Sequence, residues 1–84
     1  FNIFNGAVVL GHDVKIGDYN VLMPSVRISG EVVMGDCNFF GVGSIVLQQL
    51  KIKNDTKLAA GSVLMTKPKE GNVYLGVPAK VLKL

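Results

Sequence analysis

The sequence has no tryptophan, one cysteine and one histidine, and only 18% of its residues are charged. The single Cys37 excludes an intramolecular disulfide framework and favours a reducing cytoplasmic location. The single His12 excludes a zinc site with three histidine ligands, and no other His/Cys spacing in the sequence suits a metal ion. No apolar run approaches the ~18 residues of a membrane-spanning helix. A Gly-x-x-x-x-Gly-Lys-Ser/Thr loop is also missing, which excludes a nucleotide hydrolase of that type.

What the sequence does contain is a high apolar content in a short chain. Its 84 residues allow one domain, 49% of them are hydrophobic and ten are glycine. A chain this short buries only about 60–65% of its unfolded surface, so a lone monomer is marginal and partners are expected. Because the chain begins at Phe1 rather than at methionine, we expect it to be part of a longer protein.

Charge is distributed unevenly along the chain. Residues 1–50 carry two basic and four acidic side chains, whereas residues 51–84 carry seven and two. The overall charge of +3 is too small to argue for a nucleic-acid partner. The lysine-rich end is either a solvated surface or an anion site suited to a phosphorylated ligand, and composition leaves both interpretations open.

A six-residue repeat runs through most of the chain. From Phe4 onwards, every sixth residue is large and apolar. These residues are Phe4, Leu10, Ile16, Leu22, Ile28, Met34, Phe40, Val46, Ile52, Leu58 and Leu64. A period of six does not fit the 3.6-residue period of a helix, but it does fit short strands interrupted by a corner every six residues.

Three such sides close a triangular coil that is three repeats long, which predicts an all-β fold, a parallel β-helix. Residues three repeats apart then stack, and the apolar ladder fills the interior of the prism. Turn-forming pairs such as His12-Asp13 fall at the corners. We predict about three coils over residues 1–65, followed by a C-terminal loop and tail at 66–84 that packs on the β-helix. The first coil presents an open apolar end, which we expect an upstream segment to cap.

Several segments of the sequence resemble motifs of a known family. They are residues 12–18 (HDVKIGD), 29–36 (SGEVVMGD), 40–44 (FGVGS), 61–64 (GSVL) and 76–80 (GVPAK). Together with the repeat they resemble the hexapeptide-repeat acyltransferases, and among these the sugar acetyltransferases of sialic-acid and bacterial amino-sugar pathways. The resemblance covers essentially the whole chain.

That resemblance implies a left-handed parallel β-helix, a homotrimer with active sites between adjacent prisms, and acetyl-CoA as co-substrate. Members of the family usually carry an N-terminal nucleotide-sugar-binding domain, which is not among these 84 residues. The implied reaction moves an acetyl group to an amino or hydroxyl group of a sugar or nucleotide sugar. We expect neither a membrane nor a nucleic acid as a partner.

The resemblance also assigns roles to individual residues. His12 matches the histidine that takes a proton from the attacking group, and Asp13 matches the acid that supports it. Gly30 matches a glycine whose backbone N–H faces the acetyl group, where a tetrahedral intermediate needs a hydrogen-bond donor. The residues alone support the base less strongly, because histidine exchanges a proton near neutral pH but an isolated surface histidine is more often idle.

Three further residues match the family's contacts to CoA. Val42 and Ala60 are three repeats apart, so they stack, and they match positions whose backbone lines the pantetheine arm. Lys80, with the lysine-rich tail, would lie near the phosphates, for which lysine ammonium groups are suited. Val21 departs from the pattern, because many sugar acetyltransferases have a second histidine there.

Two other functions stay open at the level of sequence. The first is a non-catalytic β-helix module that serves trimerisation or scaffolding and has no affinity for CoA. The second is a hexapeptide acetyltransferase whose acceptor is not a sugar, for example an amino acid. Calorimetry with CoA separates the first from an enzyme, and acceptor profiling separates the second from a sugar acetyltransferase.

Overall fold

The computed structural model describes residues 1–82, which form an all-β solenoid of about four turns. It contains thirteen short strands. They are β1 Ile3–Phe4, β2 Val9–Leu10, β3 Lys15–Ile16, β4 Val21–Leu22, β5 Arg27–Ile28, β6 Val33–Met34, β7 Phe39–Phe40, β8 Ile45–Val46, β9 Lys51–Ile52, β10 Lys57–Leu58, β11 Val63–Leu64, β12 Val73–Gly76 and β13 Ala79–Val81. The predicted fold class is confirmed, and every strand from β1 to β11 ends on a residue of the apolar ladder.

The strands form the three faces of a triangular prism. The first face contains β1, β4, β7, β10 and β12, with β13 antiparallel at its edge; the second contains β2, β5, β8 and β11; the third contains β3, β6 and β9. Up to β11 every pairing between coils is parallel and joins residues three repeats apart, as in Leu22↔Phe40 and Ile28↔Val46. The predicted coil of three repeats and the stacking of its residues are therefore confirmed.

The interior of the prism is the hydrophobic core. Ladder residues from Leu22 onwards are buried, and Leu22, Ile28 and Phe40 are fully inaccessible to solvent. Burying each such side chain contributes roughly 1.5–3 kcal/mol to folding. The ladder residues of the first coil differ, because Phe4 is 49% exposed and Leu10 is 41% exposed. The predicted open apolar end is thus a feature of the structure.

The corners share one backbone conformation. The second residue of every corner from Ala7 to Gly61 has a φ between 55° and 69°. Most of these residues are not glycine, asparagine or aspartate, and they include Tyr19, Glu31 and Cys37. A left-handed conformation costs such residues about 1–2 kcal/mol each, and the pairing of coils on both sides must offset that cost. The corners lie where the sequence predicted them, but most residues that adopt the left-handed conformation there are not the ones that prefer it.

A column of asparagines runs inside one edge of the prism, and sequence analysis overlooked it. Asn20 and Asn38 are buried, and the Asn38 Nδ2 group donates to Asn20 Oδ1 at 2.9 Å. Asn38 Oδ1 in turn accepts from the backbone N–H of Thr56 at 2.9 Å. The same Nδ2 group donates to the Lys53 carbonyl at 3.1 Å. Buried amides are stable here because each finds partners in the coils above and below.

The chain beyond Leu64 returns to the prism. β12 pairs in parallel with β10 and adds a fifth rung to the first face, with Leu58 opposite Tyr74. The step from β10 to β12 is shorter than a regular coil. It nevertheless adds a further turn to the solenoid, which therefore has more turns than the three coils that the repeat predicted. The Gly76 N–H donates to Ser62 Oγ at 3.0 Å and fixes the strand to the coil below. Residues 83 and 84 of the predicted tail lie outside the described residues.

The outer surfaces of the three faces differ in chemistry. The first and second faces expose apolar side chains, among them Phe39, Leu75, Val9 and Leu47. The third face instead presents Lys15, Lys51 and Lys53 to solvent around Val33. In the part of the chain that the structure describes, no helix is long and apolar enough to cross a membrane.

Candidate active site

His12 lies at the corner between the second and third faces, which we call the His12 corner (residues 12–13, 30–31 and 48–49). Its Nδ1 atom lies 3.1 Å from Asp13 Oδ2, within hydrogen-bond distance, and both side chains are more than 70% exposed. When Nδ1 carries the proton and donates to Asp13, the lone pair is left on Nε2. The geometry therefore offers an accessible base whose tautomer the neighbouring carboxylate can select.

Gly30 lies one coil above His12, and the imidazole occupies the space where a side chain at position 30 would be. A Cβ atom built on Gly30 would lie 2.7 Å from His12 Nε2 and 3.0 Å from Cδ2. The backbones are also joined there, since the Glu31 N–H donates to the His12 carbonyl at 2.8 Å. The fold thus brings His12, Asp13 and Gly30 together, with Nε2 directed towards Gly30.

The backbone N–H of Gly30 finds no acceptor among residues 1–82. The equivalent corner between the third and first faces, which we call the Asp36 corner (residues 18–19, 36–37 and 54–55), differs in this respect. There the Asp18 N–H donates to Asp36 Oδ1 and the Asp36 N–H donates to Asn54 Oδ1, both at 2.7 Å. The open amide of Gly30 thus contrasts with the paired amides of the Asp36 corner, and it lies beside the imidazole.

Val42 and Ala60 lie together at the remaining corner, between the first and second faces. We call it the Val42 corner (residues 6–7, 24–25, 42–43 and 60–61), and its coils are joined by the Gly61 N–H, which donates to the Val42 carbonyl at 2.9 Å. Val42 and Ala60 are both exposed, and neither backbone N–H has a partner within the described residues. These amides could bind the carbonyl oxygens of an extended ligand.

The predicted site residues do not all meet on one chain. The second face separates the His12 corner from the Val42 corner, a span of about 15 Å at ~3.3 Å per extended residue. Lys80 lies exposed on β13, opposite Leu75 at the edge of the first face. Val21 lies half-buried on β4, also on the first face and away from His12. One chain thus carries three separate groups of candidate residues.

Sequence analysis missed the features that shape these corners. The asparagine column could have been found from the regular spacing of Asn2, Asn20 and Asn38, one per coil, which the apolar ladder obscured. The contact between the His12 imidazole and Gly30 could not be predicted from the sequence, where only the glycine itself is visible. Among residues 1–82, no group of three or more His, Cys, Asp or Glu side chains is arranged to hold a metal ion.

No protein-family model matches the chain. Solved structures do match it. The acetyltransferase domain of PglB from Neisseria gonorrhoeae is 27% identical with a TM-score of 0.93, over 96% of this chain and 40% of that one. A histidine-to-asparagine mutant of perosamine N-acetyltransferase from Caulobacter crescentus, in complex with CoA and GDP-perosamine, is 32% identical with a TM-score of 0.94, over 98% of this chain and 39% of that one.

A maltose O-acetyltransferase from Clostridium difficile is 20% identical with a TM-score of 0.72, over 90% of this chain and 58% of that one. At that identity the likeness is one of fold. The chain spans about two fifths of the length of the PglB domain and of perosamine N-acetyltransferase.

Proposed function

The chain has the hexapeptide repeat and the β-helix of its structural neighbours, the sugar acetyltransferases, and from this we propose that it transfers an acetyl group from acetyl-CoA to a sugar or nucleotide sugar. The observation that carries the proposal is the His12 corner. There one imidazole lies between a carboxylate and a glycine whose backbone N–H is open. Acceptors with an amino group are favoured, since the neighbour at 32% identity is an N-acetyltransferase.

In the proposed reaction His12 Nε2 takes a proton from the acceptor nitrogen or oxygen as that atom attacks the thioester carbonyl. Asp13 holds the ring through Nδ1 and stabilises the imidazolium that forms. The Gly30 N–H donates to the oxygen of the tetrahedral intermediate. The intermediate then collapses, the carbon–sulfur bond breaks, and the imidazolium returns its proton to the sulfur of CoA. The transfer is direct, so no residue of the chain carries the acetyl group.

The acetyl donor would extend from the His12 corner along the prism. In this proposal the open amides of Val42 and Ala60 bind the pantetheine arm, and Lys80 neutralises a phosphate of the nucleotide. Lysine suits that role as a flexible point charge. No metal ion takes part. A position in a sialic-acid or related amino-sugar pathway is the narrower proposal that the sequence motifs support.

A homotrimer is part of the same proposal. The His12 corner, the Val42 corner and Lys80 lie apart from one another on one chain. A continuous site for acetyl-CoA therefore needs a neighbouring copy. The exposed apolar side chains of the first and second faces supply two different contact surfaces. A cyclic trimer joins such surfaces head to tail and closes. We propose a cytoplasmic location, with which the single free thiol of Cys37 is compatible.

Replacement of His12 tests the proposed function. We expect His12→Ala to lower kcat by about 10²–10⁴-fold, because general-base catalysis is lost, while the affinity for CoA in calorimetry is retained. Gln48→Ala, at the same corner one coil above Gly30, is the matched control and should retain its kcat. Full activity of His12→Ala would overturn the assignment of the base. Absence of CoA binding by the unaltered chain would instead favour the scaffold function.

A further inference from the structure

The third face contains a cavity of about 340 Å³ whose residues have no role in the acetyl-transfer steps described above. It lies where the chain after β11 crosses above β9 without forming another strand. Its lining includes the exposed Val33, the almost fully buried Met34 and Ile52, and three exposed lysines that we call the rim lysines, Lys51, Lys53 and Lys67. We call it the lysine pocket. Its volume falls in the range of about 300–1,000 Å³ that is usual for small-molecule sites.

The backbone at the upper edge of β9 supplies two open donors. In the coil below, Val33 and Gly35 donate their N–H groups to the carbonyls of Leu50 and Ile52 at 3.0 and 2.8 Å. The equivalent donors one coil higher are the N–H groups of Lys51 and Lys53. Neither group has a backbone acceptor among residues 1–82, because no strand of the third face lies above β9. Both donors are therefore left open at the upper edge of β9, on two of the residues that line the cavity.

The segment that crosses the third face is fixed by hydrogen bonds in its second half. The Lys69 N–H donates to Tyr74 Oη at 2.7 Å, and the Gly71 N–H donates to the Asp55 carbonyl at 3.1 Å. Pro68 between β11 and these contacts is buried. The backbone that carries Lys67 is consequently held near the third face, and the exposed Lys67 lines the cavity. The cavity is part of the fold and does not depend on a free loop end.

The charges around the pocket are unbalanced. Glu70 also lines the cavity, but within residues 1–82 none of the three rim lysines lies within 4.0 Å of a carboxylate oxygen. Three ammonium groups around one concavity repel each other, and a bound anion relieves that repulsion. The exposed side chain of Val33 adds an apolar surface on which a flat ring can pack.

We propose that the lysine pocket binds the phosphate groups of a nucleotide. The open N–H groups of Lys51 and Lys53 bind phosphate oxygens, the lysine side chains neutralise the charge, and the nucleobase packs on the exposed side chain of Val33. The pocket is distinct from Lys80, which lies at the edge of the first face. The identification of this nucleotide as part of CoA or of a sugar nucleotide rests on the proposed acetyl transfer, whereas its binding can be measured without that reaction. The nucleotide of CoA and that of a sugar nucleotide share this chemistry, and the experiment distinguishes them.

The test is a set of titrations of the full chain with adenosine 3′,5′-bisphosphate, UDP, GDP and inorganic pyrophosphate. Calorimetry measures the affinity of each compound, and amide NMR identifies the residues that it contacts. We expect at least one nucleotide to shift the amide signals of Lys51 and Lys53 and to bind at least about tenfold more tightly than pyrophosphate. The double variant Lys51→Gln/Lys67→Gln should weaken that binding at least about tenfold, and added salt should weaken it too. A preference for the adenosine compound identifies CoA as the source, and a preference for UDP or GDP identifies the sugar nucleotide.

Lys57→Gln is the matched control, because Lys57 is an exposed lysine of the neighbouring first face and does not line the pocket. It should bind as tightly as the unaltered chain. The proposal fails if no compound binds at millimolar concentration, or if pyrophosphate binds as tightly as the nucleotides. It also fails if Lys57→Gln weakens binding as much as the double variant. Thermal unfolding of each variant verifies that the fold is intact.

Discussion

At the scale of single residues, the candidate site depends on a side chain that is absent. Gly30 matters for its N–H group and also for the adjacent space that the His12 imidazole occupies. The sequence predicted the identity of His12, Asp13 and Gly30 through family motifs. It could not predict that Nε2 lies against the glycine, because this contact joins residues of successive coils and depends on the side-chain rotamer of His12.

This contact makes Gly30→Ala a sharp test. The new methyl group would displace the imidazole, whose Nε2 lies 2.7 Å from the Cβ position, but it keeps the backbone N–H. We expect kcat to fall at least about tenfold with little change in thermal stability, and the NMR signals of the His12 ring to shift. The same addition in Gly6→Ala meets no atom within 4 Å and should alter neither quantity. An unchanged kcat in Gly30→Ala would show that the ring position is irrelevant to the reaction.

At the scale of elements, the corners and the asparagine column decide how coils stack. The six-residue period predicted the strands and their register of three repeats, because burying a ladder inside a prism imposes both. It did not predict the column of buried asparagines. Hydrophobicity drives the periodic pattern, whereas a polar residue at an interior position is tolerated only when its hydrogen bonds are complete, and a pattern of polarity does not reveal those bonds.

Asn38→Ala measures what the column contributes. The variant leaves the Thr56 N–H and the Lys53 carbonyl without their partner and opens a small void. We expect the free energy of unfolding to fall by about 3 kcal/mol in urea denaturation, since each unsatisfied buried group costs about 1–3 kcal/mol. Asn72→Ala is the control, because the Asn72 side chain makes one long contact of 3.5 Å with the Lys69 carbonyl. Its effect should stay within about 0.5 kcal/mol, and equal losses in the two variants would contradict a special role for the column.

At the scale of the whole molecule, the three faces of the prism differ in the chemistry of their outer surfaces. Two present exposed apolar side chains, and the third presents lysines around a pocket. The sequence predicted a need for partners from size alone, and its uneven charge hinted at an anion site at the C-terminal end. Which lysines meet there depends on how residues 65–72 cross the third face, a path that no repeat governs.

The proposed trimer makes the apolar faces testable. Phe39, on the first face, is 39% exposed, and Val33, on the third face, is 41% exposed. We expect Phe39→Lys to shift the protein from trimer towards monomer in light scattering at micromolar concentration, because a charge would be buried in the contact. Val33→Lys, with nearly the same exposure, should stay trimeric. A trimer in both variants, or a monomer in the unaltered protein, would count against the proposed assembly.

The fixed register between coils also determines the distances between sites along the axis of the prism. Each coil adds one strand spacing, about 4.8 Å, along the axis. His12 belongs to the first coil and Lys80 lies on β13, beyond the last coil, so the axial distance between the imidazole and Lys80 is set by the number of coils between them. Adding or removing one complete coil would change that distance in steps while leaving the chemistry at both ends intact. Coil number is then a dimension along which such proteins can be matched to ligands of different length.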